Sequence, residues 1–233
     1  KLDIAENTLL WYTSDNGALP VGSTGGLSGK KGNLGEGGIR VPAMIEWPAR
    51  IKSPRIIKTP CGTVDILPTL LEITGLRMPD ARPLDGVSLA ALIDGDSSPR
   101  EKPLGFWVYS TRGIRTASTE LLQELAREQR GEVPGQKSAT SGAGDPETIT
   151  QTYSEDEFPG PAAWIDADYK LFRQVNRQGA ETFALYDLGE DSREQRDLAN
   201  QPSEAERVSR MKKQLEDWRR SVVRSLNGAD YSR

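Results

Sequence analysis

Histidine is absent from all 233 residues. A Ser-His-Asp or Cys-His mechanism therefore cannot be completed by this chain, and neither can a histidine-rich transition-metal site. Cysteine occurs once, as Cys61, which excludes an internal disulfide and a multi-cysteine zinc site. No apolar run approaches the roughly 18 residues of a membrane-spanning helix. A basic excess is also missing: 30 Lys and Arg stand against 34 Asp and Glu, for a net charge of −4. That balance argues against a nucleic-acid-binding module. Chemistry carried here must run on carboxylates, amides, lysines and backbone groups, or take its missing groups from elsewhere.

Hydrophobic residues make up 36% and charged residues 27%, slightly polar for a globular chain but not the composition of a disordered one. The length suits one large domain, or one domain and a smaller one. Lys1 is followed by no charged-then-apolar leader, and LDIAENTLLWY runs from a polar turn straight into an apolar segment. The expectation is a chain that begins partway through a larger domain.

Thr8 to Tyr12 is continuously apolar, which predicts a strand buried on both faces, as in a parallel sheet. Thr13-Ser14-Asp15-Asn16-Gly17 forms the turn at its carboxyl end. Eight of the 17 residues from Gly22 to Gly38 are glycine, so this loop must bend sharply or approach something closely. Ile39 to Trp47 reads as a second strand. Val64 to Thr74 reads as an amphipathic helix with Pro68 near its first turn and Gly75 just past its end. A turn and short helix follow over Leu84 to Ile93, a strand over Phe106 to Tyr109, and a helix over Glu120 to Arg130. Residues 131–161, rich in Gly, Ser, Thr, Pro and acid, read as a flexible surface insertion. A hairpin is expected over Ala163 to Val175, a strand over Thr182 to Asp187, and a final helix. That helix opens on a Ser203/Glu206 capping box and carries Val208, Met211, Leu215, Trp218 and Val222 on one face.

This order predicts an α/β fold: the end of a layered mixed-sheet domain over residues 1–105, then a small α+β subdomain over 106–233. One or two parallel strands cannot bury both of their faces, so the first half should need further sheet partners.

Asp15 and Asn16 follow directly on a strand, at the edge where open α/β sheets bind ligands. A carboxylate beside an amide carbonyl offers hard oxygens suited to calcium or magnesium. Ordinary Asp-Asn-Gly turn chemistry also accounts for all three residues. In Gly29-Lys30-Lys31-Gly32-Asn33-Leu34-Gly35-Glu36-Gly37-Gly38-Ile39-Arg40, a glycine-flanked lysine is free to approach an anion. A flexible loop held at its base by a buried Glu36–Arg40 pair is the alternative. The loop is not a Walker A motif, because Thr24 and Lys31 stand where Gly and Ser or Thr are required. It is not a dinucleotide fingerprint either, because Arg40 replaces the last small residue. Ser14-Asp15-Asn16 and Ser28-x-x-Lys31 mimic two penicillin-binding motifs, but in reversed order and without Lys-Thr-Gly.

Taken together, N-T-L-L-W-Y-T-S-D-N-G and L-S-G-K-K-G-N-L-G-E-G-G-I-R-V-P resemble the type I sulfatases, the formylglycine-dependent sulfuric ester hydrolases of the alkaline phosphatase superfamily. W-P-A-R-I, V-D-I-L-P-T-L-L-E-I-T-G, L-D-G-V-S-L, D-Y-K-L and L-Y-D-L-G-E-D continue the resemblance in family order. Residues 119–161 are the least familiar stretch. What is matched is the family's C-terminal portion. The resemblance implies that Asp15 and Asn16 are calcium ligands and that Lys31 contacts the substrate sulfate, with Lys30 as the neighbouring alternative. Glu36 and Arg40 match structural positions. It further implies a sulfate-ester substrate, export or lysosomal residence, and partnership with the N-terminal part of the same domain.

The departures are equally specific. No Cys/Ser-x-Pro-x-Arg run occurs, so the formylglycine nucleophile is expected upstream. Cys61 is expected to be a buried or half-buried structural thiol. The chain alone is expected to bind calcium weakly and not to turn over, since calcium takes about six to eight oxygens. Two other functions fit the same residues: a phosphonate or phosphate monoester hydrolase of the superfamily, and a non-catalytic binding or assembly module. The remaining features read as packing or solvated charge: Asp166 and Asp168, the 155–157 acidic run, Trp107, Tyr109 and Trp164, and the basic face of the last helix.

Overall fold

The computed structural model describes residues 2–80, 82–96, 98–108, 126–127, 129–131, 153–176 and 178–230. Tyr109, most of the helix expected over Glu120 to Arg130, and the greater part of the 131–161 insertion lie outside the described residues.

Strand β1 (Leu10–Tyr12) pairs with β2 (Met44–Glu46), with Trp11 opposite Ile45. The pairing is antiparallel, and the outer residues of both strands are exposed. The antiparallel direction corrects the expectation of a parallel strand, while the open flanks match the expectation that this half needs further sheet partners. Leu10 and Tyr12 are each 58% exposed and Met44 67%. The continuous apolar run marked surfaces suited to burial, and among the described residues nothing covers them. The second strand is also shorter than the Ile39 to Trp47 expectation, because Ile39 closes a one-turn helix, α1 (Glu36–Ile39).

Helix α2 (Ile66–Thr74) ends as its sequence implies. Gly75 sits at φ 68°, and its N–H donates to Glu72 O. A side chain resists this left-handed cap, whereas glycine adopts it freely. The helix is anchored by the buried Asp65. Its carboxylate accepts the Gly62 and Val87 N–H groups at 2.7 and 2.8 Å, and both Arg100 terminal nitrogens at 2.6 and 2.8 Å. One turn on, the Thr69 hydroxyl donates to Asp65 O and accepts the Leu89 N–H, just before α3 (Ala90–Asp94). Asp65 therefore ties three separate segments together. Asp65→Ala is expected to cost about 3–5 kcal/mol of stability, because it strands a buried guanidinium. Denaturant unfolding of the full-length protein measures it, and a loss below about 1 kcal/mol contradicts the assignment.

The second half is an antiparallel meander, β3 (Leu104–Trp107), β4 (Ala162–Asp166), β5 (Tyr169–Val175) and β6 (Glu181–Asp187), in chain order. The hairpin and the last strand agree with the sequence expectation. Successive side chains of β5 point to opposite faces, and both faces are covered. Leu171 and Leu185 pack with Val208, Met211 and Leu215 of α4 (Ala205–Leu226). Phe172 and Ala163 pack instead on Leu34 and Ile39 from the glycine-rich region. The sheet is thus sandwiched between the last helix and the loop that carries the candidate lysines.

Helix α4 departs from its expected details. Glu204 occupies the N-cap and no side-chain cap bond forms, so Ser203 and Glu206 make no capping box. Val223 rather than Val222 is fully buried, and Arg219 is buried as well. Arg219 does not belong to a solvated basic face. Its guanidinium lies 4.2 Å from the Phe158 ring centroid and 4.9 Å from that of Trp107, and it donates to Phe158 O. Desolvation, aided by the nearby Arg173, pushes its pKa down to about 9. The ring faces and the carbonyl offset part of the cost of burying the charge. Cys61 is exposed, which corrects its expected burial.

Candidate functional site

Asp15 and Asn16 follow β1 directly, on the turn that the sequence assigns to the strand's carboxyl end. Asp15 is exposed and Asn16 half-buried. The turn is shaped by its own polar groups. The Ser14 hydroxyl donates to Asn16 O at 3.0 Å, and Asn16 Nδ2 donates to Asp15 Oδ2. Asn16 Oδ1 and the outer lone pairs of Asp15 remain for a hard cation, which fits the chemistry of a calcium or magnesium donor set. Two such side chains fall short of a complete shell. Among the described residues, no group of three or more His, Cys, Asp or Glu side chains comes together as a metal cluster.

The glycine-rich loop lies against this turn. Gly17 N donates to Gly38 O at 2.8 Å, and Lys31 N donates to Ala18 O at 2.9 Å. The Thr13 hydroxyl reaches Pro42 O at 3.3 Å. The approach is close enough to require glycine: a Cβ on Gly17 would sit 2.0 Å from Gly37 O, and one on Gly37 would sit 2.3 Å from Gly29 O. Both obstacles are backbone, so neither can swing aside. The glycines that marked this loop in the sequence thus serve two needs: close backbone packing at Gly35, Gly37 and Gly38, and positive φ at Gly25, Gly26, Gly29 and Gly32.

The two lysines have different surroundings. Lys30 Nζ donates to Pro20 O and Gly22 O, at 2.5 and 3.0 Å, and closes the loop on itself. The Lys31 ammonium is exposed and has no partner among the described residues. Lys31 is therefore the cation available to an anion, and Lys30 is engaged in holding the loop.

Glu36 behaves differently from its expected pairing with Arg40. Arg40 Nη1 stands 3.7 Å away and is half exposed. The partner at hydrogen-bonding distance is Lys170 Nζ, 2.9 Å from Glu36 Oε1 and fully buried. Glu194 completes the group, with Oε1 2.8 Å from the same ammonium and Oε2 accepting the Glu36 N–H at 2.7 Å. Sequence reasoning missed Lys170 and Glu194. The available signal was a lysine set inside the apolar run Tyr-Lys-Leu-Phe, at a position where a strand buried on both faces leaves no exit to water.

Other candidates are remote or solvated. Asp168 is exposed at the hairpin turn, and Asp166 is partly exposed with Arg210 3.7 Å away. Residues 155–157 are exposed. Trp164 belongs to the core under α4.

Comparison with known proteins agrees with the motifs. Residues 1–76 match the family model described as Sulfatase. The steryl-sulfatase of Mus musculus is 35% identical over 111 residues, which cover 43% of this chain and 18% of that protein. Human arylsulfatase H is 39% identical over 105 residues, covering 41% and 19% respectively. The chain thus spans about a fifth of the length of these curated relatives. A sulfatase from Pseudoalteromonas sp. superposes with a TM-score of 0.57 at 19% identity, over 95% of this chain and 38% of that one. A protein solved in complex with its substrate D-glucosamine-2-N,6-O-disulfate superposes with a TM-score of 0.59 at 19% identity, over 98% and 37%. The likeness to sulfatases is shown in sequence by the family model over residues 1–76 and by relatives over about two fifths of the chain, and in fold over nearly all of it.

Proposed function

We propose that this chain supplies part of the active site of a sulfuric ester hydrolase of the arylsulfatase type. Asp15 and Asn16 contribute oxygen ligands to a calcium ion, and Lys31 binds the sulfate group. The observation that carries the reading is the contrast between the adjacent lysines: Lys30 is tied to two carbonyls, while Lys31 is open beside the Asp15-Asn16 turn. A sulfate ester gains negative charge on its transferring group and leaving oxygen as it is cleaved. An ammonium fixed in place before reaction stabilises that charge without reorganising. Lysine suits the task as a compact point charge. Calcium, when bound, supplies Lewis-acid polarisation of a sulfate oxygen. This reading expects a formylglycine nucleophile from outside these 233 residues, which contain no Cys/Ser-x-Pro-x-Arg run.

The exposed apolar surface supports that partnership. Leu2 is 85% exposed, Val21 96% and Ile56 92%, and the flanks of β1 and β2 are open. Such a surface fits the remainder of a layered sulfatase domain. In this reading residues 1–105 complete the catalytic layer and 106–233 form the small C-terminal subdomain. The full-length protein is expected to hydrolyse p-nitrophenyl sulfate with a kcat/KM at least about 100-fold above that for p-nitrophenyl phosphate, the scale of one preorganised electrostatic contact. A preference for the phosphate ester would favour a phosphomonoesterase, and inertness toward both would favour a binding or assembly module.

A further inference from the structure

We infer that Lys170 and Glu194 are positioning residues for the anion-binding loop, so that the C-terminal sheet sets the place of Lys31. The inference rests on the proposed role of Lys31. Its physical basis is a buried charge cluster that spans the chain. Lys170 is fully buried, and the Glu36 and Glu194 side chains are 4% and 3% exposed. Charges so removed from water persist only when paired. Here one ammonium serves two carboxylates, and Arg40 at 3.7 Å brings the group to neutrality.

The cluster joins elements distant in sequence. Lys170 comes from β5 and shares a sheet face with Phe172, which packs on Leu34. Glu36 opens α1, five residues beyond Lys31. Glu194 comes from the loop after β6 and sits at φ 57°, a left-handed conformation that a non-glycine residue rarely adopts. That conformation is braced by Asp191, which accepts the Gln195 and Arg196 N–H groups at 2.7 and 2.8 Å. Braced in this way, Glu194 reaches both the Glu36 N–H and the Lys170 ammonium. The neighbouring Arg193 packs on the same stretch, its guanidinium 3.3 Å from where a Cβ on Gly26 would lie. From Glu36 the backbone returns to the Asp15-Asn16 turn through Gly38 O and Gly17 N. One rigid path therefore connects the β5 lysine to both halves of the candidate site.

The test uses hydrogen exchange and kinetics on the full-length protein. Lys170→Met is expected to speed amide exchange over residues 28–38 by about tenfold or more, while amides of residues 208–223 in α4 keep their protection. Lys170→Arg is expected to restore most of that protection. Glu194→Ala keeps the Lys170–Glu36 ion pair and serves if Lys170→Met does not fold; it is expected to speed exchange over the same residues. On p-nitrophenyl sulfate, the penalty of Lys31→Ala is expected to shrink from about 10²- to 10³-fold to about tenfold or less in the Lys170→Met background, the non-additivity of residues that act through one another. Unchanged exchange over 28–38, an equal rise in α4, or a fully additive double variant would overturn the inference. If the wild-type protein cleaves no sulfate ester while the exchange pattern holds, the sulfatase reading falls and the anchoring of the loop stands.

Discussion

Asp15→Ala in the full-length protein is expected to lower kcat/KM for an aryl sulfate by about 10³-fold or more, on the scale of losing a preorganised electrostatic contact to the transition state. The argument begins with the exposure of the turn. Asp15 is exposed, and among the described residues its hydrogen bonds come only from its two neighbours, Asn16 and Ser14. Removing the carboxylate strands no buried partner, so little folding stability should be lost with it. A carboxylate of this kind contributes little to the fold, and a large kinetic effect would have to come from a ligand. Its loss should also weaken calcium binding, measured by titration after chelation. Activity within about threefold of wild type would contradict the assignment of Asp15 as a ligand.

The second expectation separates two adjacent lysines. Lys31→Ala is expected to reduce kcat/KM for p-nitrophenyl sulfate by about 10²- to 10³-fold, with no change in melting temperature. Lys30→Ala should do the reverse. It removes an ammonium that bridges Pro20 O and Gly22 O, so it should destabilise the loop while affecting kcat/KM by about tenfold at most. Steady-state kinetics beside a thermal melt for each variant resolves the pair. A larger kinetic loss for Lys30 would exchange the two roles.

The regular elements were legible because local chemistry decides them. Gly75 ends α2 at a left-handed residue, and the hairpin over Ala162–Val175 turns where Ala167 and Asp168 interrupt two apolar runs. The spacing of Val208, Met211 and Leu215 was enough to place the buried face of α4. The rest depends on contacts that no local pattern records. Helix α1 contains two glycines in four residues and has poor intrinsic propensity. It forms because Glu194, 158 positions away, accepts its first N–H, and because Lys170 buries its glutamate. The direction of pairing between β1 and β2 was not legible, although their need for further cover was. Their sequence is suited to burial, and the described residues do not include what would cover them. At the candidate site, the residue types and order were readable from the two motifs, including both lysines. Which lysine is free was not, because that depends on carbonyls of Pro20 and Gly22 reached only when the loop closes.

A crystal structure of the full-length protein grown with calcium and inorganic sulfate tests the central claim most directly. The account predicts a cation about 2.3–2.6 Å from oxygens of both Asp15 and Asn16. It also predicts a sulfate within about 2.7–3.2 Å of Lys31 Nζ, with Lys30 still bonded to the loop carbonyls. A cation bound elsewhere, or a sulfate held by Lys30 with Lys31 turned away, would contradict it.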